Sequence, residues 1–449
     1  DPALQVASGR AEGTIIYHRG EQRLHMPALD VRCETVTSAP EGETAGPPPA
    51  ADAVALKTAL HAGINPLQLS LSALDCRVTG LKLMHRADDT LPAMDVHLQA
   101  QTVSADPSVI RLTDATVRVP DAAVRLNERT FKGGPIMMDI PKGRIALKEM
   151  AVSLPGIRFH GFGLKNVILA ADLENSRFDM MLSGKDTGIL KSAAAHELLP
   201  AGWRMSASDD IRIEASGPAT GPWQVNAELT FTGTDFSSPD GRLMGEGVTL
   251  AADAQGTLAL PDNKLEFLTD LKVETGEALI GRFYLNFAAN PCTAICRGTY
   301  RFDPNLLELE ASRIQLKDIV AVEVEGALEQ ASGHERQMDL SLNIPRTPLK
   351  PLYHHFVAEP YGARHALLAD IETDGAVSGD FRIACSENGF QVTGRAGWRD
   401  GRLYIANPAI RTDGIDLNLP LCYTSGAPED VDAPRSEEHT SELQSHAPI

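Results

Sequence analysis

Apolar and polar residues alternate with a period of two along much of this chain. The clearest runs occupy residues 94–101, 115–119, 225–231, 283–287 and 340–344. Successive side chains of a β-strand point to opposite faces of its sheet. Each run therefore predicts a strand with one apolar face and one polar face.

Short turn signals separate these runs. Examples are Pro239-Asp240-Gly241, Pro261-Asp262-Asn263 and Asp400-Gly401. Such residues supply the fixed or positive φ that a chain reversal requires. The pattern predicts an antiparallel meander of about two dozen strands.

Three segments have helical features instead. The stretch from Ala50 to Ala62 follows a Pro-rich linker and has apolar residues at helical spacing, so we expect a short helix there. The stretch from Pro348 to Leu368 predicts a second helix, broken near Pro360 and Gly362. Lys191 to Leu199 predicts a third, short one. We interpret these helices as caps on the sheet.

These elements suggest a division of the chain. We expect a partial N-terminal β segment at 1–46, a Pro-rich linker and short helix at 47–63, and an elongated β domain at 64–423. Residues 424–449 are expected to be a disordered tail. Within the tail, Arg435 to His446 (RSEEHTSELQSH) resembles a translated sequencing adapter, so 435–449 are set aside as artefactual. Because the chain starts at Asp1 in domain-like sequence, we expect a fragment of a longer protein.

The apolar face of so large a sheet must be covered by something. Two or three short helices cannot cover about two dozen strands, and open sheets of more than roughly ten strands usually curl or split. The predicted fold is therefore mainly β: a long antiparallel meander curled into an elongated apolar groove, on the order of 100 Å long at about 4.8 Å per strand. A closed sandwich with a dry core has the same alternation and stays open as an alternative. The candidate groove-lining residues are Val96, Leu98, Val117, Val119, Leu229, Phe231, Leu258, Leu260, Phe283, Leu285 and Phe287.

Composition and charge narrow the class of partner. The chain is 43% hydrophobic and 22% charged, with a net charge of −19. An acidic balance argues against nucleic acid as a partner. It also argues against docking on an anionic membrane by overall charge. No run of about eighteen apolar residues exists that could span a bilayer.

Candidate chemistry is sparse. Cys292 and Cys296 flank a tight segment (PCTAIC) and are the candidate disulfide, with inert thiols as the alternative. The neighbouring carboxylates Asp209 and Asp210 and the pair His354-His355 are interpreted as turn and surface residues. No GxSxG, P-loop or post-strand GxGxxG motif is present. We therefore predict no catalytic residue, no metal site and no cofactor.

Several segments resemble one family. The stretch from Gly276 to Phe287 (GEALIGRFYLNF), the passage Ala50–Leu71 and the segment Gly397–Leu421 are similar to the AsmA-like superfamily of bacterial envelope proteins. The YdbH type is the nearest in pattern, and the TamB and AsmA types are more distant. The shared features are glycines and alternating apolar residues over most of 50–422.

This resemblance implies a function. It implies a bridge-like β-groove in the periplasm of a Gram-negative bacterium, anchored to the inner membrane in the full-length protein. The implied activity is non-catalytic transport of phospholipid between the inner and outer membranes, supporting outer-membrane lipid homeostasis. The implied partners are phospholipid acyl chains, with the inner-membrane anchor and outer-membrane partners reached through segments outside this sequence. The alternative is a structural or assembly-factor β scaffold of the cell envelope.

Overall fold

The computed structural model describes residues 4–18, 22–38, 50–64, 67–81, 94–126, 129–195, 202–218, 221–259, 262–302, 305–330, 336–386, 389–406 and 409–425. Within these residues the chain forms one sheet of 23 strands. The mainly β fold predicted from the alternation is confirmed.

The strand bounds are as follows. The first eight strands are β1 (Leu4–Gly13), β2 (Ile16–His18), β3 (Arg23–Ser38), β4 (Ala50–Ile64), β5 (Leu67–Leu81), β6 (Met94–Ala105), β7 (Val109–Leu126) and β8 (Arg129–Ala146). The next eight are β9 (Ala151–Gly161), β10 (Leu164–Glu174), β11 (Arg177–Lys185), β12 (Arg204–Pro218), β13 (Trp223–Ser237), β14 (Leu243–Ala259), β15 (Lys264–Ile280) and β16 (Phe283–Asn286). The last seven are β17 (Cys292–Arg301), β18 (Leu306–Leu316), β19 (Val320–Gln330), β20 (Arg336–Pro348), β21 (Ile371–Ser386), β22 (Gly389–Ile405) and β23 (Ile410–Ser425).

The sheet is an open antiparallel meander. Each strand pairs with the next along the chain, except that β1 and β2 both pair with β3, and β16 and β17 both pair with β15. Among the described residues no pairing joins β1 to β23. Within the described residues the sheet is therefore open, with β1 and β23 on its two outer edges.

The two ends of the strands form two different rims. One end, which we call the turn rim, contains the tight connections 106–108, 147–150 and 175–176. The opposite end, the loop rim, contains the helix α1 (Ile189–Ala195) and the helical segment 349–369. That segment consists of α2 (Leu349–Tyr353), a π-helical turn (His354–Ala358), α3 (Glu359–Gly362) and α4 (Ala366–Ala369). All described helices thus lie at one edge of the sheet.

Bulges bend many of the strands. The pairing register shifts between Val119 and Ala122 on β7, at Phe231/Thr234 on β13, and at Leu309/Ser312 on β18. An extra residue in one strand bends it and increases its twist. Repeated across the sheet, such bends curve it into the predicted groove-like form.

The predicted helix from Ala50 to Ala62 is wrong, because this stretch is strand β4. Ala53, Leu56 and Leu60 have helical spacing, whereas Val54, Leu56 and Leu60 share one face of a strand, so the apolar residues of this stretch fit both periods. Pairing with β3 and β5 on either side stabilises the strand. Within the described residues, 50–64 is therefore a strand that continues the sheet between β3 and β5, and residues 47–49 of the predicted linker lie outside the described part.

The other two helix predictions are confirmed in part. Helical turns occupy 349–369, and Pro360 lies in the first turn of α3, where proline is tolerated, rather than ending a helix. α1 overlaps the predicted Lys191–Leu199, although residues 196–199 lie outside the described part. The predicted tail from 426 onward also lies outside it, whereas 424 and 425 belong to β23.

Candidate functional site

One face of the sheet carries a continuous apolar row. Residues paired directly across antiparallel strands share a face, so the row can be followed through the pairings. From β1 to β19 it consists of Ala11, Val31, Leu56, Cys76, Leu98, Val117, Met138, Phe159, Val167, Gly184, Ile211, Leu229, Ala252, Leu271, Ala294, Ile314 and Val322. On β19 the row shifts by two residues, from Val322 to Val324. From there it continues to β23 through Leu342, Phe381, Gly394 and Leu421. We call this side the apolar face.

A second row, displaced by one residue along each strand, lies on the opposite side of the sheet and is mostly polar. It consists of Asp30, Lys57, Asp75, Gln99, Thr116, Asp139, Arg158, Ile168, Ser183, Arg212, Glu228, Asp253, Asp270, Ile295, Arg313 and Glu323. Ile168 and Ile295 are its apolar members, and both are exposed. The two sides of the sheet therefore differ in polarity along its length, as the alternation predicts.

The predicted lining residues that the structure describes lie on the apolar face. Leu98, Val117 and Leu229 are in the row itself, and Val96, Val119, Phe231 and Leu258 lie an even number of residues from a row member on the same strand. Phe283 and Leu285 pair with Ile280 and Ala278, and Phe287 is in a buried cluster with Ala278. Leu260 lies outside the described residues.

Sequence reasoning missed the middle of the row. Met138, Phe159, Val167 and Ile211 complete it between β8 and β12, but none was among the predicted residues. On β8 the signal is hidden because Met137 and Met138 are adjacent and both apolar. The register, rather than the alternation on this strand, shows which of the two lies on the apolar face.

Two buried clusters lie on this face. The first cluster contains Leu74, Ala100, Ala115, Ile140 and Ile157, from β5 to β9. All partly buried residues packed against it lie on β4 to β10, and no helix contributes to it. Since neighbouring strands alone bury Ala115 to 1% exposure, the sheet must curve toward its apolar face here.

The second cluster lies near the loop rim. It contains Val248, Ala278, Phe287, Leu316 and Ile319. Phe356, from the π-helical turn, packs against this cluster. The helical segment 349–369 therefore covers part of the apolar face at this end.

Aromatic contacts fix the position of the helical segment. The ring centroids of Phe356 and Phe283 are 5.4 Å apart in an edge-to-face arrangement, and the Arg282 guanidinium carbon is 5.6 Å from the centroid of the Tyr361 ring. Both arrangements are favourable for aromatic rings. Nevertheless, no residue of α2, α3, α4 or the π-helical turn is buried. Phe356 and Tyr361 thus attach the segment to the sheet although none of its helical residues is buried.

The histidine pair beside this contact is already partnered. His354 Nε2 is 3.1 Å and His355 Nδ1 is 3.3 Å from the carboxylate of Glu359. Within the described part of the chain, no group of three or more His, Cys, Asp or Glu side chains is arranged to hold a metal ion. The described helices also include none long and apolar enough to cross a membrane.

The candidate disulfide between Cys292 and Cys296 is wrong. Both residues lie on β17, on the same face and four positions apart, and both thiols are free. An extended strand separates them by about 13 Å at roughly 3.3 Å per residue, whereas a disulfide needs Cα atoms closer than about 7 Å. Burial raises the pKa of the Cys292 thiol, which favours the unreactive protonated form.

The interpretation of Asp209 and Asp210 as turn residues is also wrong, because both lie inside β12. Asp210 is exposed, whereas Asp209 is buried to 3% exposure. The Asp209 carboxylate accepts hydrogen bonds from the Thr187 amide at 2.8 Å, the Thr187 hydroxyl at 2.5 Å and the Gly188 amide at 3.2 Å. These bonds satisfy the buried charge and attach the chain just before α1 to the sheet.

Comparison with known proteins adds no relative. No protein-family model, no curated protein and no solved structure matches this chain. The candidate site is therefore defined by its own geometry: a single open sheet whose apolar face is continuous and is covered by a helical segment near the loop rim.

Proposed function

We propose that the apolar face is a path for lipid acyl chains, and that the protein transports phospholipid between the inner and outer membranes of a Gram-negative envelope. The observation that carries the proposal is the unbroken apolar row from Ala11 to Val322, which runs across consecutive strands. Proteins that bind one small ligand enclose it in a pocket. A surface that continues from strand to strand suits a ligand that moves along it.

The mechanism we propose is passive. An acyl chain on this face is removed from water, which is favourable by about 25 cal/mol for each Å² of apolar surface covered. Neighbouring row positions such as Leu98, Val117 and Met138 offer similar contacts, so a step along the row replaces one apolar contact with another. The polar headgroup can stay in water at the open side. No catalytic residue, metal or cofactor takes part in this scheme.

The cellular setting belongs to the proposal as well. Exchange between two membranes requires a position between them, so we propose a periplasmic location with the full-length protein attached to the inner membrane. The similarity of sequence segments to AsmA-like proteins supports this setting. The alternative is an envelope scaffold in which the same face is a dry core closed by other parts of the protein.

The test places one charge on either side of β13. Phe231→Asp puts a carboxylate on the apolar face, and Thr230→Asp puts the same carboxylate on the exposed opposite face, one residue away. Each protein is purified from a bacterial periplasm, and bound phospholipid is measured by native mass spectrometry and lipid extraction. We expect phospholipid to copurify with the parent and with Thr230→Asp, and several-fold less lipid with Phe231→Asp.

Two results would count against the proposal. A parent protein free of lipid would remove its basis. Unfolding of Phe231→Asp, seen as lost β-sheet circular dichroism, would favour the closed scaffold, because a charge buried without a partner in a packed core costs several kcal/mol.

A further inference from the structure

The turn rim carries a second surface that the transport path does not use. Between β1 and β9, large apolar side chains at or beside its turns are exposed to solvent. They are Ile15, Ile16, Tyr17, Leu67, Leu147 and Met150. Met150 is 76% exposed. Groups of exposed apolar residues mark sites that contact a protein or a membrane.

The pairing register places these turns side by side. Arg23 at the start of β3 pairs with Gly63 at the end of β4, and Gly63 pairs with Gln68 at the start of β5. Further along the rim, Val109 at the start of β7 pairs with Ala146 at the end of β8. The exposed apolar residues at these turns, which we call the apolar tips, therefore lie along one edge of the sheet.

Basic side chains accompany the apolar tips. Lys148 lies in the same turn as Leu147 and Met150. Arg111 on β7 and Arg144 on β8 are direct cross-strand partners. Arg111 follows the 106–108 turn, and Arg144 precedes the 147–150 turn. Two like charges in that position repel each other. Arg111 has one carboxylate, Asp106, at 3.0 Å, while Arg144 has only a 3.6 Å contact with Glu149.

Other turns of the same rim lack these features. The connection between β10 and β11 is Asn175-Ser176, and the turn before β15 contains Asp262 and Asn263. The asparagines have positive φ, which these residues tolerate at reversals. Exposed apolar tips are therefore not a requirement of turn geometry here.

We propose that the turn rim from β1 to β9 docks on the surface of an anionic phospholipid bilayer. Leu147 and Met150 would enter the apolar boundary, and Lys148, Arg111 and Arg144 would face lipid phosphates. The apolar tips lie on separate turns of the rim. The turns that carry them are at least two strands apart, which is roughly 10 Å at about 4.8 Å per strand. A fluid lipid surface accommodates such separated points, whereas a protein interface needs a contiguous packed patch.

Charge also explains why docking would be local. With a net charge of −19, most of the molecule is repelled by an anionic bilayer. At these turns three basic side chains, Lys148, Arg111 and Arg144, outnumber the two acidic side chains Asp106 and Glu149, so the local charge is slightly positive where Leu147 and Met150 are exposed. Contact is thus directed to one edge of the sheet, and this inference does not depend on lipid occupying the apolar face.

The test uses the full chain and extruded vesicles of phosphatidylethanolamine with phosphatidylglycerol. The double variant Leu147→Asp/Met150→Asp removes the tips of one turn. The double variant Asn175→Asp/Ser176→Asp adds the same two charges at a polar turn of the same rim. In a flotation assay we expect the parent and the control to bind, and the tip variant to bind weaker by on the order of tenfold or more. We also expect Lys148→Glu to weaken binding while leaving circular dichroism unchanged.

The proposal is overturned if the parent does not float with these vesicles, or if the folded tip variant floats as well as the parent. It is also overturned if the control loses binding to the same extent, because the effect would then come from added charge at any turn. Should the tip variant misfold, the outcome with Lys148→Glu decides. The amount of phospholipid that copurifies with the tip variant separates this result from the transport proposal, since we expect it to equal that of the parent.

Discussion

The two clusters on the apolar face are buried by different means. In the first cluster, strands β5 to β9 bend around their own side chains, and two of the five buried residues are alanines. In the second, larger side chains such as Phe287, Leu316 and Ile319 lie near the loop rim, and Phe356 approaches them from the helical segment. One region is thus covered by curvature and the other by an added element.

This difference teaches how an open sheet can have a stable apolar face. Curvature brings side chains of adjacent strands together, but it leaves one side of the face open to solvent or to a ligand. Where a helical segment lies across the face, that access is reduced. In the proposed transport function, the partly buried row residues around the first cluster would line the accessible path, and the second cluster would lie under a cover that no buried side chain holds in place.

The largest effect is expected from truncating the first cluster. Ile157 is 5% exposed and belongs to the first cluster, whose members and packed neighbours all lie on β4 to β10. Ile157→Ala should lower the free energy of unfolding by about 2–4 kcal/mol, because it removes buried methyl groups and leaves a cavity. The measurement is urea denaturation followed by circular dichroism.

The chain contains a matched control for this substitution. Ile168 lies on the next strand, on the opposite side of the sheet, and is 45% exposed. Ile168→Ala removes the same atoms, and we expect a change within about 0.5 kcal/mol, as for most surface substitutions. If the two variants lost equal stability, the assignment of the two faces would be wrong.

An intermediate effect is expected from removing the cover of the second cluster. Phe356→Ala deletes the edge-to-face contact with Phe283 and should destabilise this region by about 1–2 kcal/mol, including the pairwise aromatic contribution. In amide hydrogen exchange, peptides covering 283–287 and 316–320 should exchange faster than in the parent. Peptides covering the first cluster, such as 138–157, should not change.

A half-exposed phenylalanine on the sheet provides the comparison for this change. Phe390→Ala removes a ring of the same size from β22 at the turn rim, away from the described helices, where Tyr423 is its aromatic neighbour. We expect it to leave exchange at 283–287 unchanged. Faster exchange across both clusters with Phe356→Ala would show that the cover stabilises the whole face rather than one end.

The sequence predicted which residues share a face of the sheet better than it predicted where strands, helices and turns lie. The described members of the predicted lining lie on one side, because strand alternation is a local property that the tertiary fold keeps. β4 was misassigned because Ala53, Leu56 and Leu60 fit the helical period while Val54, Leu56 and Leu60 fit the strand period, and only pairing with two neighbouring strands decides between them. Cys292 and Cys296 were misjudged because a tight turn was expected where the chain is extended.

Other parts of the site have no local signal. Val167 on β10 and Ile211 on β12 belong to the row because both pair with Gly184 on β11. This pairing register depends on turns and bulges elsewhere in the chain. The contact of Phe356 with Phe283 joins residues more than seventy positions apart in sequence. Such contacts arise from how far the loop-rim segment reaches across the sheet, which alternation does not encode.

The smallest effect concerns two turns, one beside each cluster. Asp106 lies between β6 and β7, and the hydroxyl and amide of Ser108 together with Arg111 hold the pKa of its carboxyl well below the usual range. Asp240 lies between β13 and β14, where the Ser238 hydroxyl and the Arg242 amide also lower the pKa of its carboxyl. A lowered folded-state pKa stabilises the protein above the unfolded pKa of about 3.9, and this contribution is lost as the pH falls through the folded value.

We therefore expect Asp106→Asn and Asp240→Asn each to be slightly less stable than the parent near neutral pH. Each difference should shrink as the pH falls below about 3.9 toward the lowered pKa. Urea denaturation across this range measures the pH dependence, and hydrogen exchange at neutral pH locates it. Asp106→Asn should loosen the 105–110 region beside the first cluster, and Asp240→Asn the 236–245 region beside the second. If either substitution changed hydrogen exchange beside the other cluster, the two regions would be coupled. The inference that the two clusters are stabilised independently would then be wrong.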